Sequence, residues 1–154
     1  MAPWRIAATL AFTLCLTAAN VSNMSGSWHL DVAKSKWGKH PKPVSVVVNI
    51  DHREPALDYS GNIVLANGED ARNFTFHGAI DGKEYPIVGE QGEGKITIRR
   101  VSPATIASDF KSNDGRFQET SRTTISSNGK EMVREMHTKA PDGETSWTEV
   151  YERQ

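Results

Sequence analysis

The chain has 154 residues, with 18 Lys and Arg against 19 Asp and Glu, for a formal net charge of −1. A balance this even provides no general field for nucleic acid or an acidic membrane surface, and neither is expected as a partner. The single cysteine, Cys15, excludes intrachain disulfides and cysteine-clustered metal sites, so the fold must be held by its core alone.

The chain opens on "MAPWRIAATLAFTLCLTAAN", with one early cation (Arg5), an apolar run from Ile6 to Leu16, and small residues at Thr17 and Ala19. That pattern predicts a secretory signal peptide over residues 1–19 and a secreted or periplasmic mature protein. The run is too short to span a bilayer, which takes about 20 residues, and no later stretch approaches it. Thr13 and Leu14 precede Cys15 where a lipid-modified cysteine would have a small residue, so no lipid anchor is expected. Residues 20–154 are then long enough for a single domain.

Beyond the leader the chain carries roughly 28 Val, Ile and Thr against three leucines (Leu30, Leu57, Leu65), a bias that suits pleated, half-buried surfaces. Turn dipeptides fall at Asn67-Gly68, Asp81-Gly82, Asp114-Gly115, Asn128-Gly129 and Asp142-Gly143. Strands are expected, in order, at "GSWHLDV", "PVSVVVNID", "ALDYS", "NIVLAN", "ARNFTFHGAI", "YPIVGE", "KITIRRV", "ATIASDFK", "GRFQETSRTTIS", "EMVREMHTK" and "TSWTEVYER". The one candidate for a helical turn, "VAKSKWGKH", is ended by Pro41 and Pro43. The fold class is therefore all-β, an antiparallel up-and-down meander of about 8–10 strands. So many strands must close or split to protect their edges. Closure fits the mixed polarity of the late strands, because a partly wet interior can hold paired charges.

On "GRFQETSRTTIS" one face carries Phe117, Glu119, Ser121, Thr123 and Ile125, and the other carries Arg116, Gln118, Thr120, Arg122 and Thr124. On "TSWTEVYER" one face carries Trp147, Glu149, Tyr151 and Arg153. Arg122 and Arg134 both lie mid-strand; pointing inward, either would need Glu149, Tyr151 or an anionic ligand as partner. Arg122, Arg134, Glu149, Tyr151 and Trp37 are the candidate ligand-binding residues. Glu119, Glu135 and Glu149 are candidate carboxylates should the cavity be catalytic. His29, His40, His52, His77 and His137 show no metal-ligand spacing, and nucleophile-elbow, phosphate-loop and dinucleotide motifs are absent, so neither metal nor cofactor is expected.

The G-x-W motif of Gly26-Ser27-Trp28, the meander, and an aromatic-plus-arginine closing strand resemble the calycins, the lipocalin and fatty-acid-binding barrels. The resemblance implies that Trp28 lies across the barrel floor and packs against a late arginine, Arg153 or Arg134. The ending "TEVYERQ" is similar to the last strand of fatty-acid-binding proteins, where an Arg-x-Tyr pair grips a carboxylate; here Tyr151 matches the tyrosine and Glu149 stands at the arginine position. The two-helix lid of that family is missing. The chain also resembles a group of small secreted bacterial lipocalin-like proteins whose function is largely unassigned. The likeness runs through Gly26, Trp28, Leu30, Lys34, Ser35 and Trp37, then Asp81-Gly82-Lys83-Glu84-Tyr85-Pro86, then Val150-Tyr151-Glu152-Arg153-Gln154.

These readings lead to a monomeric, non-catalytic binding protein for a small amphipathic or hydrophobic molecule held inside the barrel. Two others stay open: an envelope interaction or structural module with a filled core, and an enzyme built on the same barrel.

Overall fold

The computed structural model describes residues 20–66, 72–89 and 92–154. The expected signal peptide over residues 1–19 and the Asn67-Gly68 turn lie outside the described residues. Ten strands form the fold: β1 (Gly26–Leu30), β2 (Pro43–Arg53), β3 (Ala56–Leu65), β4 (Arg72–Ala79), β5 (Glu84–Gly89), β6 (Gly92–Ser102), β7 (Thr105–Ser112), β8 (Gln118–Ile125), β9 (Glu131–Ala140) and β10 (Gly143–Arg153). Each pairs antiparallel with its sequence neighbour, and β1 pairs with both β2 and β10, so the meander closes into a barrel. The expected fold class is thus observed, at ten strands.

Hairpin turns fall at the Asp81-Gly82, Asp114-Gly115, Asn128-Gly129 and Asp142-Gly143 dipeptides. At Gly129 the backbone takes φ 69°, a left-handed conformation that a residue without Cβ adopts at no steric cost. Two expected strands, "ALDYS" and "NIVLAN", are one continuous β3 through Gly61. That glycine is no break. A Cβ on it would sit 2.0 Å from Cζ of Phe74, its partner on β4, so the missing side chain lets the phenyl ring lie across the strand.

The two-residue side-chain period sorts the chain into an inner and an outer face. Inner positions of β2 to β6 are mainly apolar: Val46, Val48, Leu57, Ile63, Phe76, Ile87, Ile96 and Ile98 are all buried. An aromatic run reinforces this wall, with Tyr59 stacked on Phe76 at 5.1 Å and Phe76 edge-on to Tyr85 at 6.0 Å. Inner positions of β8 to β10 are instead mixed, with Ser121, Thr123, Thr138 and Glu149 among the buried residues.

One barrel end is closed by residues 20–25. Ser22 N–H donates to the Pro103 carbonyl at 2.9 Å, and Met24 N–H donates to Nδ1 of the buried His52 at 3.2 Å. Trp28, fully buried, donates its indole N–H to the Met24 carbonyl at 2.9 Å. Arg153 is Trp28's direct partner in the β1–β10 register; it lays its guanidinium over the indole and donates to the Asn23 carbonyl at 2.8 Å. The arginine on the tryptophan is therefore Arg153; Arg134 lies elsewhere, inside the barrel.

The segment between β1 and β2 runs along β10 toward the opposite end. It is made of turns rather than a helix, with Lys36 bridged to Thr148. The Asp31 carboxylate accepts the N–H groups of Ala33 and Lys34, which tightens the bend. No helix among the described residues is long and apolar enough to cross a membrane.

Candidate functional site

Inside the barrel lies a cavity of about 120 Å³, far more than the ~10–15 Å³ a single water requires. Its apolar wall comes from β2, β3, β5 and β6, through Val48, Ile50, Leu57, Ile87, Ile96 and Ile98. Facing them are Ser108 of β7, Glu119, Ser121 and Thr123 of β8, and Arg134 of β9. Met24, Met132 and Met136 are also part of the lining; their flexible thioethers let a cavity adjust to the shape of what enters it.

Arg134 organises the polar wall. It sits opposite Glu149 in the β9–β10 register, and its Nη1 donates to Glu149 Oε2 at 3.2 Å. The same carboxylate accepts the Tyr151 hydroxyl at Oε2 and the Trp147 indole N–H at Oε1, each at 2.9 Å. These contacts follow from strand alternation: Trp147, Glu149 and Tyr151 are successive inward positions on β10, so both rings flank the carboxylate between them. Glu149 is buried with both carboxylate oxygens hydrogen-bonded, which lowers the penalty of burying a charge.

Glu149 and Tyr151 do not themselves line the cavity; they stand behind Arg134 and hold it. Burial works against the Arg134 charge, but Glu149, Tyr151, Glu119 and Tyr59 outweigh it and keep the guanidinium charged. Among the described residues Arg134 donates only to Glu149, so further N–H groups of its five remain for the cavity it lines.

Glu119 is in a different position. Burial pushes its carboxyl up to about 7, with Arg134 opposing the shift and Glu149 adding to it. It is a group that changes charge near neutral pH. Burial likewise raises the Tyr59 phenol to about 12, so it remains a neutral hydroxyl. Ser108 and Ser121 hydrogen-bond across β7 and β8 at 2.7 Å.

The remaining sequence candidates divide by strand parity. Arg122 lies on the outer face of β8, exposed, between the buried inward Ser121 and Thr123. It does not reach the cavity, because a residue one position from an inward neighbour points to the opposite face of the sheet. Glu135 is exposed on the outer face of β9 for the same reason. Trp37 is half-buried in the segment at the mouth, its indole N–H 3.4 Å from the Val32 carbonyl, and is not part of the cavity lining. Beside it His40 stacks on Trp147 at 3.8 Å between ring centres and lies 6.1 Å from Trp37; neither His40 nor Trp147 is part of the cavity lining. Burial pulls the His40 imidazole below its ordinary range, against the raising effects of the Pro41 backbone and Glu149.

Sequence reasoning had no means of selecting His40 from five dispersed histidines. Glu119 was visible on the correct face of its strand, but its proximity to Arg134 depends on barrel register. His52 also proves structural, bonded through Nδ1 to Met24 and through Nε2 to Glu54 at 2.8 Å. Among the described residues no three His, Cys, Asp or Glu side chains come together in a way that could hold a metal ion.

Neither a protein-family model nor a curated protein sequence matches the chain. Solved structures do. Zebrafish ileal bile acid-binding protein, complexed with cholic acid, superimposes with a TM-score of 0.56 at 14% identity, covering 84% of this chain and 98% of that one. Rv2717c from M. tuberculosis does so with a TM-score of 0.53 at 16% identity, covering 85% and 92%. At these identities the likeness carries the fold alone: the chain has a closed, lipocalin-like β-barrel fold.

Proposed function

We propose that this barrel binds a small amphipathic or hydrophobic molecule in its interior, without transforming it, in a secreted or periplasmic setting. The observation that carries the reading is the cavity itself: a space of about 120 Å³ with an aliphatic wall on one side and the anchored Arg134 on the other. Ligand pockets share this composition, mostly apolar with a few fixed polar groups. The apolar wall supplies affinity at roughly 25 cal/mol per Å² buried. Arg134, Ser121 and Thr123 supply orientation. That the zebrafish neighbour, a barrel of the same kind, is complexed with cholic acid supports the reading. Residues 1–19, with their cation, apolar run and small residues, support export.

The test is native mass spectrometry of protein purified from its own host, followed by denaturation and extraction. The expected result is a mass excess lost on unfolding, with an apolar compound recovered in the organic phase. A clean apo mass, combined with failure to take up any added apolar compound, contradicts the proposal.

A further inference from the structure

We propose that the cavity selects an uncharged amphiphile with a hydrogen-bond-accepting head group over an anionic one, and that Glu149 is the residue that sets this preference. The inference rests on the reading that the barrel binds a ligand; it specifies the class.

Arg134 is the one cation among the described residues that line the cavity. Its charge already has a counter-ion. Glu149 takes up the Arg134 contact from behind and is itself fixed by Trp147 and Tyr151, so the carboxylate cannot swing aside without stranding two buried donors. An incoming carboxylate would place a second negative charge on a guanidinium that is already paired. It would also meet Glu119 on the same polar wall, with no further cation to offset either repulsion or the loss of hydration. Removing an anion from water without a partner costs several kcal/mol, whereas a carbonyl or hydroxyl that accepts one N–H bond is nearly compensated.

Arg134 therefore acts toward the cavity as a hydrogen-bond donor held in place by its own counter-ion. Glu149 is a positioning residue for it. The internal carboxylate occupies, in charge, the role that an anionic ligand would otherwise fill.

The experiment compares 1-octanol with octanoate, the same chain with a neutral or an anionic head, by calorimetric or NMR titration at pH 8. For the wild-type protein the expected result is at least tenfold tighter binding of 1-octanol. In Glu149→Gln, which keeps an acceptor for Trp147 or Tyr151 but removes the charge, the ratio of octanoate to 1-octanol affinity should rise at least tenfold over that of the wild type. Wild-type binding of octanoate as tight as that of 1-octanol overturns the inference and leaves the binding reading standing. So does a Glu149→Gln protein with an unchanged ratio. Binding of neither compound to the wild type overturns the binding reading and the inference with it. The wild-type comparison decides the matter even if the variant does not fold.

Discussion

Arg153 covers the indole of Trp28 from the directly paired position of the last strand, its guanidinium carbon 4.5 Å from the ring centroid. One contact thus ties the first strand to the last and, through the Asn23 and Met24 carbonyls, fastens the segment that closes the barrel floor. Trp28→Ala should cost about 3–5 kcal/mol, as expected for a large buried aromatic. Arg153→Met, which keeps an apolar stem over the ring, should cost about 1 kcal/mol. Urea unfolding monitored by fluorescence measures both; equal losses for the two variants would contradict the assigned division between packing and cation–π attraction.

Glu149 holds three donors, so its removal should be far more damaging than its replacement together with its partner. Glu149→Ala leaves Arg134, Trp147 and Tyr151 facing an unfilled position and is expected to cost about 2–3 kcal/mol, at the lower edge of values for broken buried pairs because Arg134 retains access to the cavity. Arg134→Met with Glu149→Leu should recover about half of that loss or more. A double-mutant cycle with no coupling between the two positions would show that the pair is not energetically linked.

Glu119 makes a prediction about pH. Its carboxyl is raised in the folded protein, from 4.5 to about 7, so between these values the native state binds more protons than the unfolded chain. Stability from this group is present at low pH and falls as pH rises through the window, levelling off above about 7, by about 3 kcal/mol at most. His40, lowered by burial, acts in the opposite direction: its contribution is present above about 6.5 and is lost as pH falls. Comparing wild type with Glu119→Gln separates the two. The variant should lose the downward slope between pH 5 and 7, and an unchanged slope would place the titration elsewhere.

The stack of His40 on Trp147 sits where the β1–β2 segment meets the barrel mouth. His40→Ala should cost only about 1 kcal/mol of stability but increase the rate at which a bound apolar probe escapes by several-fold. Stopped-flow displacement reads that rate; an unchanged rate would mean that ligand exchange does not pass His40.

Arg122 provides a control on the assigned inner and outer faces. Being exposed on the outer face of β8, it should tolerate Arg122→Ala within about 0.5 kcal/mol, with no change in binding. A loss of affinity comparable to that of an Arg134 variant would contradict the assigned orientation.

The all-β class and the hairpin positions were legible because β-branched residues and Asn-Gly or Asp-Gly dipeptides report local backbone preference directly. That Trp147, Glu149, Tyr151 and Arg153 share one face of β10 was legible from alternation alone; which side of the sheet that face takes was not, because it depends on how the barrel closes. Arg122 and Arg134 looked alike in sequence, each amid polar and apolar neighbours, and only the pairing register separates them: Arg122 stands opposite Glu135, and Arg134 opposite Glu149. Gly61 misled the reading for a related reason. A glycine that accommodates Phe74 inside a sheet has the same local signature as one that ends a strand. His40 and Glu119 depend on contacts between distant segments, which composition and spacing do not encode.

An amide and side-chain NMR titration with 1-octanol decides whether a small molecule with a polar head occupies the barrel interior against Arg134. Saturable shifts are expected at Ile98, Ser121, Thr123, Met132 and the Arg134 guanidinium, with Arg122 and Glu135 unaffected. Shifts confined to the outer face, or none at concentrations that saturate comparable barrels, would contradict interior binding.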